Sequence, residues 1–222
     1  MNKNTPIREL KGVGEKRAEL YGKMGIHTAG DLIYHFPRRY IDYSEPIAAS
    51  FAEIGQHAVI RALVIKKQPA ARIRKGLTLY KIYAEDDGGE RITITYYNNR
   101  FASDALKEGE EYLFSGKISG NMTRKEMNSP TVLKADSENL LRPVYPLTEG
   151  LTAAMITTNI TEILANADAS FFEEIIPDEM RMEYALSTME YAVRSIHFPK
   201  DAHASELAKK RLAFDELLKL QL

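Results

Sequence analysis

The sequence predicts an α+β chain in which five short strands close into a Greek-key barrel of the OB type, flanked by helices on both sides. Three observations carry this. Apolar residues fall at helical spacings from Pro6 to about Tyr40, turn to near-alternation between about 59 and 136, and become helical again after Leu141. The middle stretch is rich in β-branched and aromatic residues and holds five strand-like runs. A helical phrase of about two turns, residues 101–109, separates the third run from the fourth, where an OB barrel places its helix. A mainly antiparallel sandwich is the competing arrangement. The expected segments are 1–50, 51–142 and 143–222.

The first segment places Leu10, Ala18, Tyr21, Ile26, Leu32, Ile33 and Phe36 at helical spacings, broken by Gly12, Gly14, Gly25 and Gly30. It reads as a set of short helices. Within it, Leu10-Lys11-Gly12-Val13-Gly14 with Ala18, followed by Gly25-Ile26-His27-Thr28 and Asp31-Leu32, resembles a helix-hairpin-helix unit. In such a unit, residues like Gly12 and Gly14 bring backbone N–H groups close to a phosphate at a helix N-terminus. The same residues also make a tight helix–helix turn that touches nothing.

The predicted strands are residues 59–65, 77–85, 91–98, 111–119 and 131–136. Asp86-Asp87-Gly88-Gly89 suits the tight turn between the second and third. Between Arg61 and Lys81 stand Arg61, Lys66, Lys67, Arg72, Arg74, Lys75 and Lys81 with no Asp or Glu. A charge run is ordinarily a solvated face. Here residues 66–76 are expected to form the loop between the first two strands, one of the loops that border an OB groove, so Lys66, Lys67, Arg72, Arg74 and Lys75 become candidate phosphate contacts. At the end of the third strand comes Tyr96-Tyr97-Asn98-Asn99-Arg100-Phe101. Tyr97 and Phe101, interleaved with Asn98 and Arg100, have the composition of a base-stacking platform. The rival reading puts both rings in the core, and Tyr96, opposite in phase to Tyr97, is the better core candidate.

The last segment opens on a connector with two prolines and a glycine, residues 142–150, and continues as helices over 152–166, 178–196 and 203–222. The final helix is expected to turn Leu207, Leu212, Phe214, Leu217, Leu218 and Leu220 largely to one side. It runs to Leu222 without a Gly or Asn cap, which suggests a piece of a longer protein.

Composition removes several function classes. Thirty Lys and Arg against 31 Asp and Glu leave a formal charge of -1, so any polyanion site must be a local patch. With no cysteine there is no disulfide, thiolate metal site or cysteine nucleophile. No stretch approaches 18 consecutive apolar residues, and the start lacks an apolar leader, so a cytoplasmic chain without membrane association is expected. Ser115-Gly116-Lys117-Ile118 lacks the upstream glycine and the following hydroxyl of an ATP-binding loop. Glu85, Asp86, Asp87 and Glu90 could hold a divalent cation for phosphodiester cleavage, but a polar hairpin turn uses the same residues.

Several phrases occur together and in order: His35-Phe36-Pro37-Arg38-Arg39-Tyr40, Tyr97-Asn98 with Phe101, Tyr145-Pro146-Leu147-Thr148-Glu149-Gly150-Leu151, Ile196-His197-Phe198-Pro199, and the segment from Arg211 to Leu218. In this the chain resembles the N-terminal half of the bacterial RecG family of branch-migrating DNA helicases. The resemblance implies an OB-fold wedge at the branch point of a replication fork or Holliday junction, with two aromatic residues stacked on the parting bases. The family's aromatic-Asn-x-x-aromatic pattern maps onto Tyr97, Asn98 and Phe101, with Tyr at a position associated with Phe. It also implies that the ATP-binding motor lies downstream of Leu222, so this chain is expected to need no cofactor while the longer protein uses ATP and Mg. The expected partner is branched DNA. An OB module that docks a protein, such as the tail of a single-strand-binding protein, and a metal-dependent nuclease are the rival functions.

Overall fold

A computed structural model describes residues 1–221. The chain forms two compact units, Asp42–Leu140 and a second made of Met1–Ile41 with the stretch from Leu141 onward.

The strands of the first unit are β2 (His57–Lys67), β3 (Ala71–Arg74), β4 (Leu77–Glu85), β5 (Arg91–Tyr97), β6 (Glu111–Asn121), β7 (Arg124–Asn128) and β8 (Thr131–Lys134), with β1 (Arg39–Asp42) preceding them and helix α3 (Arg100–Asp104) after β5. Strands β2, β4, β5, β7 and β6 pair in that order, and β6 pairs back to β2, which closes the ring. Every neighbouring pair in the ring is antiparallel except β5 with β7. One parallel pair and a helix between the third and fourth ring strands define the OB fold. Alternation along the strands turns Ile60, Ala62 and Val64, Ile82 and Ala84, Ile92, Ile94 and Tyr96, and Phe114, Ile118 and Met127 into one buried core. Each buried aliphatic side chain contributes about 1.5 to 3 kcal/mol.

Two strand assignments change. The fifth ring strand is β7 rather than residues 131–136, of which β8 pairs outside the ring with β6. The sequence hides β7 because Lys125 takes an inward phase: it is buried, and its Nζ donates to the carbonyls of Ala49 and Ser50, which satisfies the charge but breaks the apolar alternation. Residues 66–76 are not an open loop either. Strand β3 pairs with β4 around Gly76, whose φ of 81° suits a residue without Cβ, and extends the barrel as a hairpin.

The second unit contains α1 (Glu15–Gly22), α2 (Ala29–Ile33), β9 (Leu141–Val144), α4 (Ala153–Asn166), α5 (Asp178–Glu183), α6 (Met189–His197) and α7 (Ala202–Gln221). Strand β9 pairs with β1, whose residues 39–41 belong to this same unit. Sequence pattern separates residues 1–50 from 143–222, yet Tyr21, Leu32 and Ile33 share one core with Ile156, Ile160, Phe171, Val193 and Ala208. The helix expected over 178–196 is two helices. Ala185 adopts a left-handed φ of 48°, and the Thr188 hydroxyl caps α6 by accepting from Tyr191 N–H at 3.2 Å. The final helix buries Ala204, Ser205, Ala208, Arg211, Leu212 and Asp215 rather than the predicted leucine stripe. Leu217 and Leu220 are exposed. Burial there follows an ion cluster: Arg211 is fully buried, 2.6 Å from Glu174 Oε1 and 3.1 Å from Asp215 Oδ1.

His197 is fully buried in this unit. Its Nε2 lies 2.7 Å from the Ile33 carbonyl and its Nδ1 3.0 Å from the Tyr145 hydroxyl, so Nε2 carries the proton and Nδ1 accepts. Burial, helped by the nearby His35, holds the imidazole down at about 4. Because the folded pKa lies below the ordinary 6.5, the unfolded chain takes up the proton first as pH falls, and stability drains away between pH 6.5 and about 4. A shift of that size is worth up to about 3 kcal/mol. Asp31 and Glu174, both held below their ordinary carboxylate values of 3.8 and 4.5, add to that loss as pH falls through those values and below. Thermal melts should show the midpoint falling from pH 7 to pH 5, and His197→Gln should flatten that slope. An unchanged slope would assign the pH dependence elsewhere.

Candidate nucleic-acid interface

The barrel unit carries the aromatic turn and the basic hairpin, and local chemistry explains how each side chain is aimed. Along β5 the residues Ile92, Ile94 and Tyr96 face the core, so Thr93, Thr95 and Tyr97 take the opposite face, on which the two threonines are still buried and Tyr97 is exposed. Tyr96 is 3% exposed, Tyr97 is 46% exposed, and the Tyr97 hydroxyl donates to Asn128 Oδ1 at 2.9 Å. After β5, Asn98 takes a left-handed φ of 51°, a conformation that asparagine tolerates better than most residues. Asn99 then caps α3, its Oδ1 accepting from Ala102 N–H at 3.0 Å. Ser103 and Leu106 turn inward, and Phe101 is left on the opposite side at 89% exposure. Both rings thus stand on the surface, and the core reading of the pair is set aside.

Asn98 does not face solvent as a free contact. Its N–H donates to the Thr78 carbonyl at 2.9 Å, its Oδ1 accepts from Thr78 N–H at 2.8 Å, and its Nδ2 donates to the Gly76 carbonyl at 2.8 Å. These bonds clasp the tip of the β3–β4 hairpin to the aromatic turn. Arg72, Arg74 and Lys75 are thereby held beside Tyr97 and Phe101, all exposed and without an ion pair among the described residues. Lys66 is also exposed. Arg100 pairs with Asp104 at 3.0 Å across one helical turn and remains largely in solvent.

Lys67 and Arg61 leave the free cationic surface. Lys67 Nζ donates to the carbonyls of Ser103 at 2.6 Å and Leu106 at 2.9 Å, anchoring the end of α3, and Arg61 pairs with Glu111 at 2.6 Å. The Asp86 turn is explained by its own hydrogen bonds. Asp86 Oδ1 accepts from Gly88 and Glu90 N–H, its Oδ2 accepts from Ala49 N–H at 2.7 Å, and Glu85 pairs with Arg91 at 3.0 Å. Among the described residues no group of three metal-ligating side chains converges.

The helix-hairpin-helix-like turn belongs to the other unit. Gly12 has the left-handed φ of 78° and Gly14 stands at the N-cap of α1. The neighbouring Lys11 N–H is taken by the Glu162 carboxylate, 3.0 Å from each oxygen, and the Lys11 carbonyl accepts from Asn159 Nδ2 at 3.2 Å. A carboxylate of the protein therefore stands at the Lys11 end of this turn. Sequence reasoning missed Asn128, which sets the Tyr97 hydroxyl, because it lies on the unrecognised strand β7.

Comparison with known proteins gives one consistent result. A protein-family model described as "RecG wedge domain" matches residues 6–166. The ATP-dependent DNA helicase RecG of Streptococcus pneumoniae serotype 4 is 30% identical over 223 aligned residues, which cover 100% of this chain and 32% of that protein. That of Thermotoga maritima is 26% identical over 225, covering 99% and 28%. A solved structure of RecG bound to a three-way DNA junction superposes with a TM-score of 0.83 at 24% identity, covering 99% of this chain and 30% of that one. The chain thus spans about a third of the length of the curated relatives it matches. Among the described residues no helix is long and apolar enough to cross a membrane. With the closed barrel, the exposed aromatic turn and the family match over most of its length, the chain belongs to the RecG wedge domain family.

Proposed function

We propose that this chain is the branched-DNA-binding wedge of a RecG-like helicase acting in recombination and repair. The observation that carries the reading is the clasp made by Asn98, which joins two solvent-exposed rings to a hairpin of unpaired cations. Bases are covered by their neighbours inside a duplex and uncovered where arms part. Tyr97 and Phe101 would lie on the uncovered pair, while Arg72, Arg74 and Lys75 neutralise the flanking phosphates. Duplex drawn past such a rigid turn has to separate. The wedge itself moves nothing, and the drive, with its ATP and Mg, is assigned to the remainder of the longer protein.

Titration of fork, three-way junction and linear duplex of equal length tests the reading. The fragment should prefer the branched forms. With three to five cations engaged, affinity should fall with a log–log salt slope of about -3 to -5. Equal affinity for fork and linear duplex at every salt concentration would overturn it. A preference for an acidic peptide over all DNA forms would favour the protein-docking reading instead.

A further inference from the structure

The end of the barrel away from the aromatic turn carries an apolar segment that DNA binding leaves unused. Strand β5 begins at Arg91, just after the Asp86 turn, and ends at Tyr97, about 20 Å further along. At the Asp86 end, residues 47–55 are pinned along their length. Ile47 N–H donates to the Val59 carbonyl at 2.9 Å and Gly55 N–H to the Ile118 carbonyl at 2.8 Å. Between these ties Ala49 and Ala52 enter the barrel core, Asp86 Oδ2 accepts from Ala49 N–H at 2.7 Å, and the Lys125 ammonium donates to the carbonyls of Ala49 and Ser50. Two buried charged side chains are thus committed to one short turn. What that turn presents to solvent is the ring of Phe51, 79% exposed, with Ile47 and Ile54 exposed to either side of it in the chain.

The charge around the segment selects the occupant. Glu45 and Glu53 lie on it, Asp87 and Glu90 lie on the turn that anchors it, and all four are exposed and without an ion pair among the described residues. Of the cations at this end, Lys125 is buried on backbone carbonyls, Arg91 is paired with Glu85 at 3.0 Å and Arg61 with Glu111 at 2.6 Å. Lys117 and Arg124 are left against the four carboxylates. Such a balance repels a phosphate chain and attracts cations. An apolar centre with a polar, charged rim is the anatomy of a protein–protein contact, in whose centre phenylalanine is enriched. A ring already held in place loses little freedom on binding, which is what the pinning by Asp86 and Lys125 supplies.

We propose that this end of the barrel docks a basic segment of a separate protein, one in which Lys or Arg flanks a bulky apolar residue. Phe51 is the anchor, Ile47 and Ile54 widen the apolar contact, and the carboxylates of Glu45, Glu53, Asp87 and Glu90 steer and hold the cations. Since the aromatic turn stands a strand's length away, the partner and DNA are bound together rather than in competition. The proposal does not rest on the branched-DNA reading.

The test pans the whole chain against a phage-displayed library of random dodecapeptides, with the Phe51→Ser chain as counter-selection, and measures the selected peptides by fluorescence anisotropy. Peptides kept by the parent alone should be enriched in Lys and Arg about a Leu, Phe or Trp. Phe51→Ser should weaken them by about tenfold or more. Glu53→Lys with Glu90→Lys should weaken them as well, and added salt should shrink the difference between that pair and the parent. All three positions are exposed, so the variants should melt with the parent. Should Phe51→Ser fail to fold, the carboxylate pair decides. Fork DNA should leave the peptide bound, and Phe51→Ser should leave fork affinity within about twofold. Docking of a basic segment is overturned if no peptide depends on Phe51, if the selected peptides are acidic, or if fork DNA displaces them. It is overturned equally if the parent chain self-associates through Phe51, which would make the occupant a second copy. Loss of fork preference in the parent with Phe51-dependent peptide binding intact would overturn the branched-DNA reading and leave this site standing.

Discussion

Tyr97→Ala combined with Phe101→Ala is expected to melt close to the parent chain and yet to bind fork and linear duplex about equally. Phe101 is 89% exposed and Tyr97 46% exposed, so truncation removes little buried area and opens no core cavity. The lost bond from the Tyr97 hydroxyl to Asn128 is partly solvated and worth about 1 kcal/mol. Stacking on a base is worth about 1 to 3 kcal/mol per ring, so fork affinity should fall roughly five- to 150-fold for each. Contacts from Arg72, Arg74 and Lys75 serve linear duplex as well as fork, which is why the preference should vanish while general binding survives. Tyr96→Ala is the control. That ring is buried, and its loss should cost about 3 to 5 kcal/mol of barrel stability. Paired melts and titrations of the same samples decide the matter: a retained fork preference in the double variant would mean that the branch is read elsewhere.

A loss of stability as large as that of Tyr96→Ala is expected from Arg211→Met. The guanidinium is fully buried, donates to both Glu174 oxygens at 3.0 and 2.6 Å, to Asp215 at 3.1 Å and to the Ser187 carbonyl at 2.9 Å. Burial alone would lift the Glu174 carboxyl, but Arg211 and the backbone N–H groups of Met189 and Ile176 outweigh it and hold the group below its ordinary value. Remove the cation and Asp215, itself buried with one oxygen already unpartnered, becomes an uncompensated charge. Breaking such a cluster from one side costs about 3 to 5 kcal/mol. In a chain of this size the melting midpoint should drop on the order of 10 °C. Replacing Arg211, Glu174 and Asp215 together with apolar residues of similar volume should recover most of that loss, because no charge is then stranded. A single variant that melts with the parent would show that the cluster is not what holds α7.

Much of the barrel was legible in the sequence for a plain reason. Where one strand face packs on the core, alternation of apolar and polar residues appears directly in residue order, as in 91–98, where it separated Tyr96 from Tyr97 correctly although Thr93 and Thr95 are buried as well. Alternation failed at Lys125, since a lysine whose ammonium finds two backbone carbonyls occupies a core position that pattern reserves for apolar residues. Helical periodicity failed at Ala185 and along α7 for related reasons. A left-handed residue and a capping threonine end one helix and start another, and Arg211 with Asp215 buries a face that hydropathy marks as polar.

The candidate site divides in the same way. Residue types in order determined the family resemblance, the barrel, the basic run and the aromatic turn, because these depend on neighbours along the chain. Which cations remain free, that Asn98 clasps the hairpin tip to the turn, that Glu162 stands at the Lys11 end of the Gly12 turn, and that Tyr83 shares a face with Tyr97 were decided only by tertiary structure. Each depends on a partner distant in sequence or on strand register, and a hydrogen bond or a shared face between residues 20 or more apart leaves no mark in local composition.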